Sequence, residues 1–372
     1  MIPFVDVTGL NATVRDELER TMGVVLSHGR LIGGPEIAAF EEAWARYCGA
    51  SFCVAVDSGT NALIVSLLSL ELPHGSVVLT TPNTFIATAE AALFCGFKIA
   101  FVDVEADTGL VDLDAAEAYI ERERVDVFLP VHMYGHPLHM ERIAAIKARH
   151  GVRILADACQ AHGASPVWRD GTKRPIGDGA DLTVFSFYPA KNLGALGDAG
   201  AIITNDQDLY ERCRCVRSHG ESSRYVHNVL GLTARMDSIQ AAALLVKLAR
   251  LNKWNARRID IASTYDRYFR DKTLRSDKYG LPSRHIYPLL LSNRDEVKGS
   301  LAERGIECGC HYPIPIHLSR SLAKHHRPSR RFPTTEQISN KELSLPIHPL
   351  LRDDEVMSVI DALRSVTDTV IP

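Results

Sequence analysis

Residues 181–200 read DLTVFSFYPAKNLGALGDAG, and the interpretation of the whole chain depends on this stretch. An apolar run of strand length ends before Pro189, a single lysine follows at position 191, and glycines come after it. Lys191 is open to three interpretations: a solvated charge in a turn, a ligand for a phosphate, or a nucleophilic amine. The choice among them depends on which residues the neighbouring strands bring to the same place.

Apolar segments of strand length alternate with helical patterns through the first two-thirds of the chain. The segments are continuous runs of Val, Ile, Leu and Phe, which is typical of a parallel sheet buried on both faces. Strands that alternate with helices predict an α/β domain with right-handed crossovers. The predicted strands lie at residues 52–58, 75–82, 98–104, 126–132, 152–158, 181–187 and 200–205, with helices at about 60–70, 85–95 and 140–150.

The pattern changes beyond the last of these strands. Residues 236–269 form one long, mostly helical stretch that is expected to connect two domains. The remainder, 284–372, has a strand-like HIYPLLL and a terminal helix at about 353–367, which predicts a small α/β domain. Because 372 residues exceed the comfortable size of one core, we predict a large domain at 1–250, with an N-terminal arm, and a small C-terminal domain at 251–372.

Composition and charge argue against several classes of protein. A net charge of −3 predicts no binding to nucleic acid or to an anionic membrane. No apolar run reaches the length of about 18 residues that spans a bilayer. The N-terminal MIPFVDVTGL lacks the basic region of a signal peptide, and the cysteines look like buried thiols of a reducing compartment. We therefore predict a cytoplasmic protein.

The stretch CGCHYPIPIH, residues 308–317, is a candidate metal site. It contains Cys308, Cys310, His311 and His317, but the C-x-C spacing is not that of a zinc ribbon. A loop that happens to be rich in cysteine and histidine is the better explanation, so we predict no metal.

Polar residues that follow the strands are the main candidates for a site, because ligands of an open parallel sheet bind beyond the carboxyl ends of its strands. Ser-Gly-Thr at 58–60 opens a helix, either as an anion site or as a simple helix cap. Phe85 follows the next strand and is either a core residue or an aromatic ring that stacks on a ligand. Asp157 and Lys191 end successive strands and are expected at the same edge, although Asp157 could also be a helix cap or part of a salt bridge.

An anion site, an aromatic ring, a buried carboxylate and a lysine are the four groups that pyridoxal phosphate needs. Its phosphate binds helix N–H groups, its ring stacks, its pyridine nitrogen needs an acid, and its aldehyde reacts with a lysine amine. Competing phosphate motifs fail, because no G-x-x-x-x-G-K-[ST] is present and the glycines of 194–200 precede a strand instead of a helix. The nucleophilic amine is therefore the favoured interpretation of Lys191.

Taken together, these residues resemble the DegT/DnrJ/EryC1/StrS family of pyridoxal-phosphate-dependent sugar aminotransferases over nearly the full length of the chain. The resemblance implies an α/β, fold-type I, aspartate-aminotransferase-like fold: a large domain with a mainly parallel sheet between helices, plus a small C-terminal α/β domain. The matching stretches are SGTNAL (58–63), TTPNTFIAT (80–88), FVDVEADTG (101–109), PVHMYGHPLHM (130–140), DACQAHGA (157–164), FSFYPAKNLGALGDAG (185–200), RMDSIQAA (235–242), HYPIPIHLSRSL (311–322) and LSLPIHP (343–349).

The resemblance implies a role for each matching residue. Lys191 would bind pyridoxal 5'-phosphate as a Schiff base and later move the proton. Asp157 would pair with the pyridinium nitrogen, Phe85 would stack on the ring, and Gln160 would form a hydrogen bond near the ring hydroxyl. The phosphate would be held by Gly59, Thr60 and Ser186.

The resemblance also implies a homodimer with shared active sites. A G-x-N-x-R-[LM]-D motif of the neighbouring subunit contacts the phosphate in this family, and here it reads GLTARMD (231–237), with Thr233 in place of the asparagine. Threonine can still donate a hydrogen bond, but its reach is shorter. Tyr312 and His317 are the expected substrate contacts.

The implied reaction is a ping-pong transfer of an amino group from L-glutamate or L-glutamine to a keto sugar. The tail HYPIPIH most resembles enzymes of dTDP-3-keto sugars, so the expected acceptor is a nucleotide-linked (dTDP) 3- or 4-keto-6-deoxyhexose of amino-sugar biosynthesis. The alternatives are a cyclitol (keto-inositol) aminotransferase, a sugar dehydratase of the same family and a non-catalytic sensor. Dehydratases of this family carry histidine in place of the lysine, and the intact Lys191 and Asp157 argue against a sensor.

Overall fold

The alternating strand and helix patterns become a layered α/β arrangement in the computed structural model, which describes residues 1–325 and 331–367. The helices are α1 (Val7–Ala12), α2 (Arg15–His28), α3 (Pro35–Cys48), α4 (Gly59–Ser69), α5 (Ala87–Phe94), α6 (Leu113–Arg122), α7 (Met140–His150), α8 (Gln207–Val216), α9 (Ser238–Phe269), α10 (Arg294–Glu303), α11 (Pro333–Lys341) and α12 (Asp353–Thr367). The strands are β1 (Phe52–Val56), β2 (Val77–Thr80), β3 (Lys98–Phe101), β4 (Val127–Phe128), β5 (Arg153–Asp157), β6 (Ser165–Pro166), β7 (Leu182–Ser186), β8 (Gly200–Thr204), β9 (Glu221–Ser223), β10 (Val226–His227), β11 (Gly280–Leu281), β12 (Tyr287–Leu290) and β13 (Glu342–Leu345).

Seven strands form the central sheet, in the order β1-β8-β7-β5-β4-β2-β3. The pairs from β3 to β7 are parallel, whereas β8 runs antiparallel to both β7 and β1. The mainly parallel sheet is thus confirmed, with one reversed strand. The reversal follows from the connection, because residues 187–199 contain no helix and the chain returns directly beside β7.

Both faces of the sheet are covered, which explains why its strands are apolar without alternation. Val54 and Cys53 are neighbours in β1 and belong to different hydrophobic cores. On the second face, α3 packs against α9 and β1. Trp44 of α3 is fully buried there, with its ring edge-on to Phe185 at a centroid distance of 5.0 Å.

Helix α9 is continuous from Ser238 to Phe269, close to the predicted 236–269. It packs on α2 and α3, and its later turns contribute Ile261 to a third core that also contains residues of β12, β13 and α12. Ile316 and Phe332 pack onto the first core instead. The division at residue 250 falls within this helix and stays a prediction.

The strand ends bring the candidate residues to one edge of the sheet. β5 and β7 are parallel neighbours, with Asp157 opposite Val184, so the chain that leaves β7 toward Lys191 starts beside Asp157. Helix α4 begins at the same edge, close to the end of β7. None of the helices within the described residues combines the length and the hydropathy needed to cross a membrane.

Candidate active site

A cavity of about 570 Å³ lies at this edge of the sheet, a size that suits a small-molecule ligand. Most of the site residues predicted from the sequence line it, and Thr233 and His317 do not. The predicted residues in its wall are Gly59, Thr60, Phe85, Asp157, Gln160, Ser186, Lys191 and Tyr312.

The N-terminus of α4 forms one wall of the cavity. Ser58 caps this helix, because its Oγ accepts a hydrogen bond from Asn61 N–H at 3.1 Å. The N–H groups at the start of a helix have no acceptor within the helix, so they can bind an anion. A Cβ at Gly59 would lie 2.7 Å from Ser186 Cβ, so glycine is what lets the helix approach β7 this closely. The capping and anion-site interpretations therefore apply to different residues of the same turn, and the anion site fits a phosphate.

Asp157 is a buried carboxylate at the end of β5, 6% exposed. Its Oδ2 accepts a hydrogen bond from Thr88 Oγ1 at 3.1 Å, and its Oδ1 accepts one from Cys159 N–H at 3.0 Å. Thr88 itself is hydrogen-bonded to Thr84. No basic side chain among residues 1–325 and 331–367 forms an ion pair with Asp157. A buried charge normally has a partner, so Asp157 fits a protonated ring nitrogen in the cavity.

Lys191 lies in the turn that follows β7, where its N–H donates to Tyr188 O at 2.8 Å. Burial lowers the pKa of Lys191, while the neighbouring Cys159 and Asp157 act in the opposite direction. A lowered pKa increases the fraction of neutral amine, which is the nucleophilic form. The position and the lowered pKa of Lys191 therefore fit the amine that an aldehyde cofactor requires.

Gln160, Tyr312 and Phe85 form an adjoining part of the wall. Gln160 Oε1 accepts a hydrogen bond from Tyr134 N–H at 2.6 Å, and its Nε2 donates to Tyr312 Oη at 3.3 Å. Tyr134 adopts a left-handed backbone with φ 62°, an unusual conformation that this hydrogen bond helps to hold. The ring of Phe85 is 5.5 Å from that of Tyr312 and is 52% exposed, so it is available to stack on a ligand.

Several polar residues of the wall were not predicted from the sequence. His285 Nδ1 is hydrogen-bonded to Asn192 Oδ1 at 2.9 Å, and His311 Nδ1 to Ser344 Oγ at 2.8 Å. Burial lowers the pKa of His285 well below its usual range and that of His311 to about 4, so both rings are neutral at pH 7. His311 lies in the matching stretch HYPIPIH, which was a signal. Arg258, also in the wall, is on α9, where the sequence shows only helical periodicity.

Two predicted residues lie away from the cavity. Thr233 is exposed, with its Oγ1 2.7 Å from His219 Nε2. His317 is buried, 3.5 Å from a carboxylate oxygen of Glu336 and edge-on to Phe332. The 3₁₀ segment Ile316–Leu318 turns the His317 side chain toward the core, so the structure does not place it as a substrate contact.

The sheet edge and the cavity define the class of protein: an α/β enzyme of fold type I that uses pyridoxal 5'-phosphate. The chain belongs to the DegT/DnrJ/EryC1/StrS aminotransferase family, whose model matches residues 13–364. Members of this family depend on pyridoxal phosphate, and this chain is a pyridoxal-phosphate-dependent aminotransferase.

Similar proteins extend over the whole chain. The erythromycin biosynthesis sensory transduction protein EryC1 of Saccharopolyspora erythraea is 39% identical and covers 98% of this chain and 99% of its own. The dTDP-3-amino-3,4,6-trideoxy-alpha-D-glucose transaminase of Streptomyces venezuelae is 36% identical over 99% and 97%. The crystal structure of S. venezuelae DesV superposes with a TM-score of 0.95 at 36% identity, covering 100% of this chain and 99% of that one.

Proposed function

We propose that this aminotransferase moves an amino group from L-glutamate or L-glutamine to a nucleotide-linked keto sugar, most specifically a dTDP-linked 3- or 4-keto-6-deoxyhexose. The meeting of Lys191, Asp157 and the N-terminus of α4 in one cavity carries the transfer chemistry. The acceptor class is supported by the S. venezuelae relative, which is named for a dTDP-3-amino sugar.

Each residue then has a role in the proposed reaction. Bound pyridoxal phosphate supplies an electron sink that allows an amino group to be exchanged for a carbonyl oxygen. Lys191 would hold the cofactor, and once released its neutral amine, which the lowered pKa favours, would accept a proton and then donate it back. Asp157 would keep the ring nitrogen protonated. Phe85 would stack on the ring, Gln160 would lie near the ring hydroxyl, and the phosphate would be held by Gly59, Thr60 and Ser186.

A groove beside the cavity supports an acceptor larger than a free sugar. It has a volume of about 470 Å³ and shares Phe85 and Tyr312 with the cavity. Its other walls include the apolar Ile314 and Leu318 and the cationic Arg320. Apolar walls suit a nucleoside base and a cation suits a diphosphate, so we propose that the nucleotide lies here.

We further propose a homodimer that shares its two sites. Support comes from large apolar side chains around the β9–β10 hairpin, where Tyr225 is 77% exposed and Leu230 is 95% exposed. Exposed apolar residues of this size are typical of an interface. Thr233 follows this segment, and in the proposed dimer it contacts the cofactor phosphate of the partner.

The two half-reactions can be tested separately on the purified holoenzyme. We expect L-glutamate or L-glutamine to abolish the visible absorbance of the lysine-bound cofactor, and a dTDP-keto sugar to restore it. A keto-inositol that restored it where dTDP-keto sugars did not would replace our acceptor class with the cyclitol alternative. A protein that binds the cofactor but whose visible absorbance does not change with any amino donor would support the alternative of a non-catalytic sensor.

Matched lysine variants give the control for this experiment. Lys191→Ala should lose the visible band and most of its turnover, because it removes the amine that would bind the cofactor from the cavity wall. Lys247 is also buried, and burial lowers its pKa to about 8, but it donates to Gly194 O and does not line the cavity. Lys247→Met should therefore keep the band, even at some cost in stability.

A further inference from the structure

Arg258 is a buried cation in the cavity wall, 2% exposed. Its Nη1 donates to Ile347 O at 3.1 Å and to His285 O at 3.5 Å. Its Nε is buried without a hydrogen-bond partner. Its Nη2 donates to no acceptor in the part of the chain that the structure describes. Within the same residues, no carboxylate forms an ion pair with this guanidinium.

Two arginines that are less deeply buried than Arg258 each have a carboxylate. Arg217, with its side chain 14% exposed, pairs with Glu41, and Arg284, with its side chain 11% exposed, pairs with Asp266 at 3.3 Å. Burial lowers the pKa of Arg258 to about 9, so the guanidinium is still charged at neutral pH. A buried charge without a counter-ion is costly, and its presence in a cavity wall points to an anion that arrives with a ligand.

The charges of the cavity indicate which anion this is. Under the proposed function, Lys191 is joined to the cofactor, Asp157 faces the ring nitrogen, and the cofactor phosphate lies at α4. Arg258 is then the cation of the wall left without an assigned partner. Arg258 and Lys191 both lower the pKa of His285, so both lie near that ring.

We propose that Arg258 binds the α-carboxylate of the amino donor. L-Glutamate and L-glutamine share this carboxylate, one carbon from the amine that reacts. The oxoacid product carries the carboxylate away, and the keto sugar, whose ring has no carboxylate, then enters a site in which Arg258 has no partner again. The proposal rests on the proposed function and adds the residue that recognises the donor.

The test is a titration of the holoenzyme with L-glutamate in the absence of an acceptor, following the visible absorbance. We expect Arg258→Gln to raise the half-saturating concentration of L-glutamate about 10- to 100-fold, because a charge-assisted bidentate contact is lost. Arg258→Lys keeps the positive charge but loses the planar guanidinium that donates two parallel hydrogen bonds. It should therefore raise the half-saturating concentration of L-glutamate by less than Arg258→Gln does. The half-saturating concentration of the keto acceptor, measured from the amine form, should not change.

Arg257 supplies the matched control. It is the next residue on α9, but it donates to Leu351 O and pairs with Asp353, away from the cavity. Arg257→Gln should leave the donor titration unchanged. If Arg258→Gln does not fold, the Arg258→Lys variant tests the same prediction.

Binding of glutarate, a dicarboxylate that cannot react, gives a readout independent of turnover. Calorimetry on the holoenzyme should show weaker binding to Arg258→Gln than to the wild type. Unchanged donor saturation, or a loss confined to the acceptor, would overturn the assignment of Arg258. A wild-type enzyme whose absorbance does not change with any amino donor would instead contradict the proposed function. In that case the difference in glutarate binding between the wild type and Arg258→Gln would still test whether Arg258 binds a carboxylate.

Discussion

At the scale of single residues, the environment of Asp157 differs from that of Asp181, a second buried carboxylate of the same sheet. Asp181, at the start of β7, pairs with Arg153 at 2.9 Å and with Lys147 at 3.0 Å. Asp157, on the neighbouring strand, accepts hydrogen bonds from Thr88 and Cys159 and forms no ion pair in the part of the chain that the structure describes. Asp181 lies at the amino ends of these two parallel strands and Asp157 at their carboxyl ends. The cavity is at the carboxyl ends, so of the two side chains only Asp157 is open to a ligand.

Asp157→Asn removes the charge and keeps the shape. We expect turnover to fall about 100-fold or more, because the ring nitrogen loses the group that keeps it protonated. Asp181→Asn is the matched control: it should lower the melting temperature by breaking its ion pairs and leave the turnover of the folded enzyme unchanged. Steady-state turnover and thermal melts of both variants test this prediction. Turnover of Asp157→Asn equal to that of the wild type would contradict the role that we propose for Asp157.

At the scale of elements, the site depends on how closely α4 approaches β7. Gly59 opens the helix against Ser186 and Cys159, and an added Cβ would lie 2.7 Å from Ser186 Cβ and 3.1 Å from Cys159 Sγ. Both are shorter than ordinary contacts, so a side chain at this position would push the first turn of α4 away from the strand end. The N–H groups of that turn would move with it.

Gly59→Ala should therefore weaken the binding of pyridoxal phosphate about 10-fold, as expected for overpacking at a tight contact. Gly299 in α10 is the control, because an added Cβ there meets nothing within 4 Å. Gly299→Ala should raise stability by about 0.5–1 kcal/mol through helix propensity and leave cofactor affinity unchanged. Titration of the cofactor-free proteins with pyridoxal phosphate decides, and equal affinities for Gly59→Ala and the wild type would contradict the prediction.

At the scale of the whole molecule, the surface around the β9–β10 hairpin exposes large apolar side chains for which contacts within a single chain give no reason. Leu230 is 95% exposed, and Thr233 lies three residues further on without reaching the cavity of its own chain. The proposed dimer accounts for both, since it covers Leu230 and brings Thr233 to the site of the partner.

Leu230→Asp should dissociate the dimer, because it would bury an unpaired carboxylate in an apolar contact. Met357→Asp on α12, 38% exposed, is a control that should leave the assembly intact. Sedimentation measures both variants, and turnover should fall together with the dimer fraction of Leu230→Asp. A wild-type protein that is monomeric and fully active would refute the shared site.

Most of the predicted site residues line the cavity, because their position follows from local order along the chain. Asp157 lies at the end of a predicted strand, Lys191 and Gly59 come just after predicted strands, and the carboxyl ends of parallel strands meet at one edge. His317 could not be placed in this way, since a short 3₁₀ segment decides whether its side chain faces the cavity or the core. The antiparallel direction of β8 could not be predicted from the apolar pattern of the strand either, because the direction of a strand depends on the connection that precedes it.

The alternating α/β pattern, the long α9 and the motif that carries Lys191 follow from the amino-acid sequence alone, because strand and helix periodicity and turn residues are local properties. Which charges are left without partners depends on how the chain folds. Arg258 is one of many cations in the sequence and becomes notable only because folding buries it in the cavity wall without a carboxylate among the described residues. Pairing and burial are relations between distant parts of the chain, and for that reason they are settled only when the chain is folded.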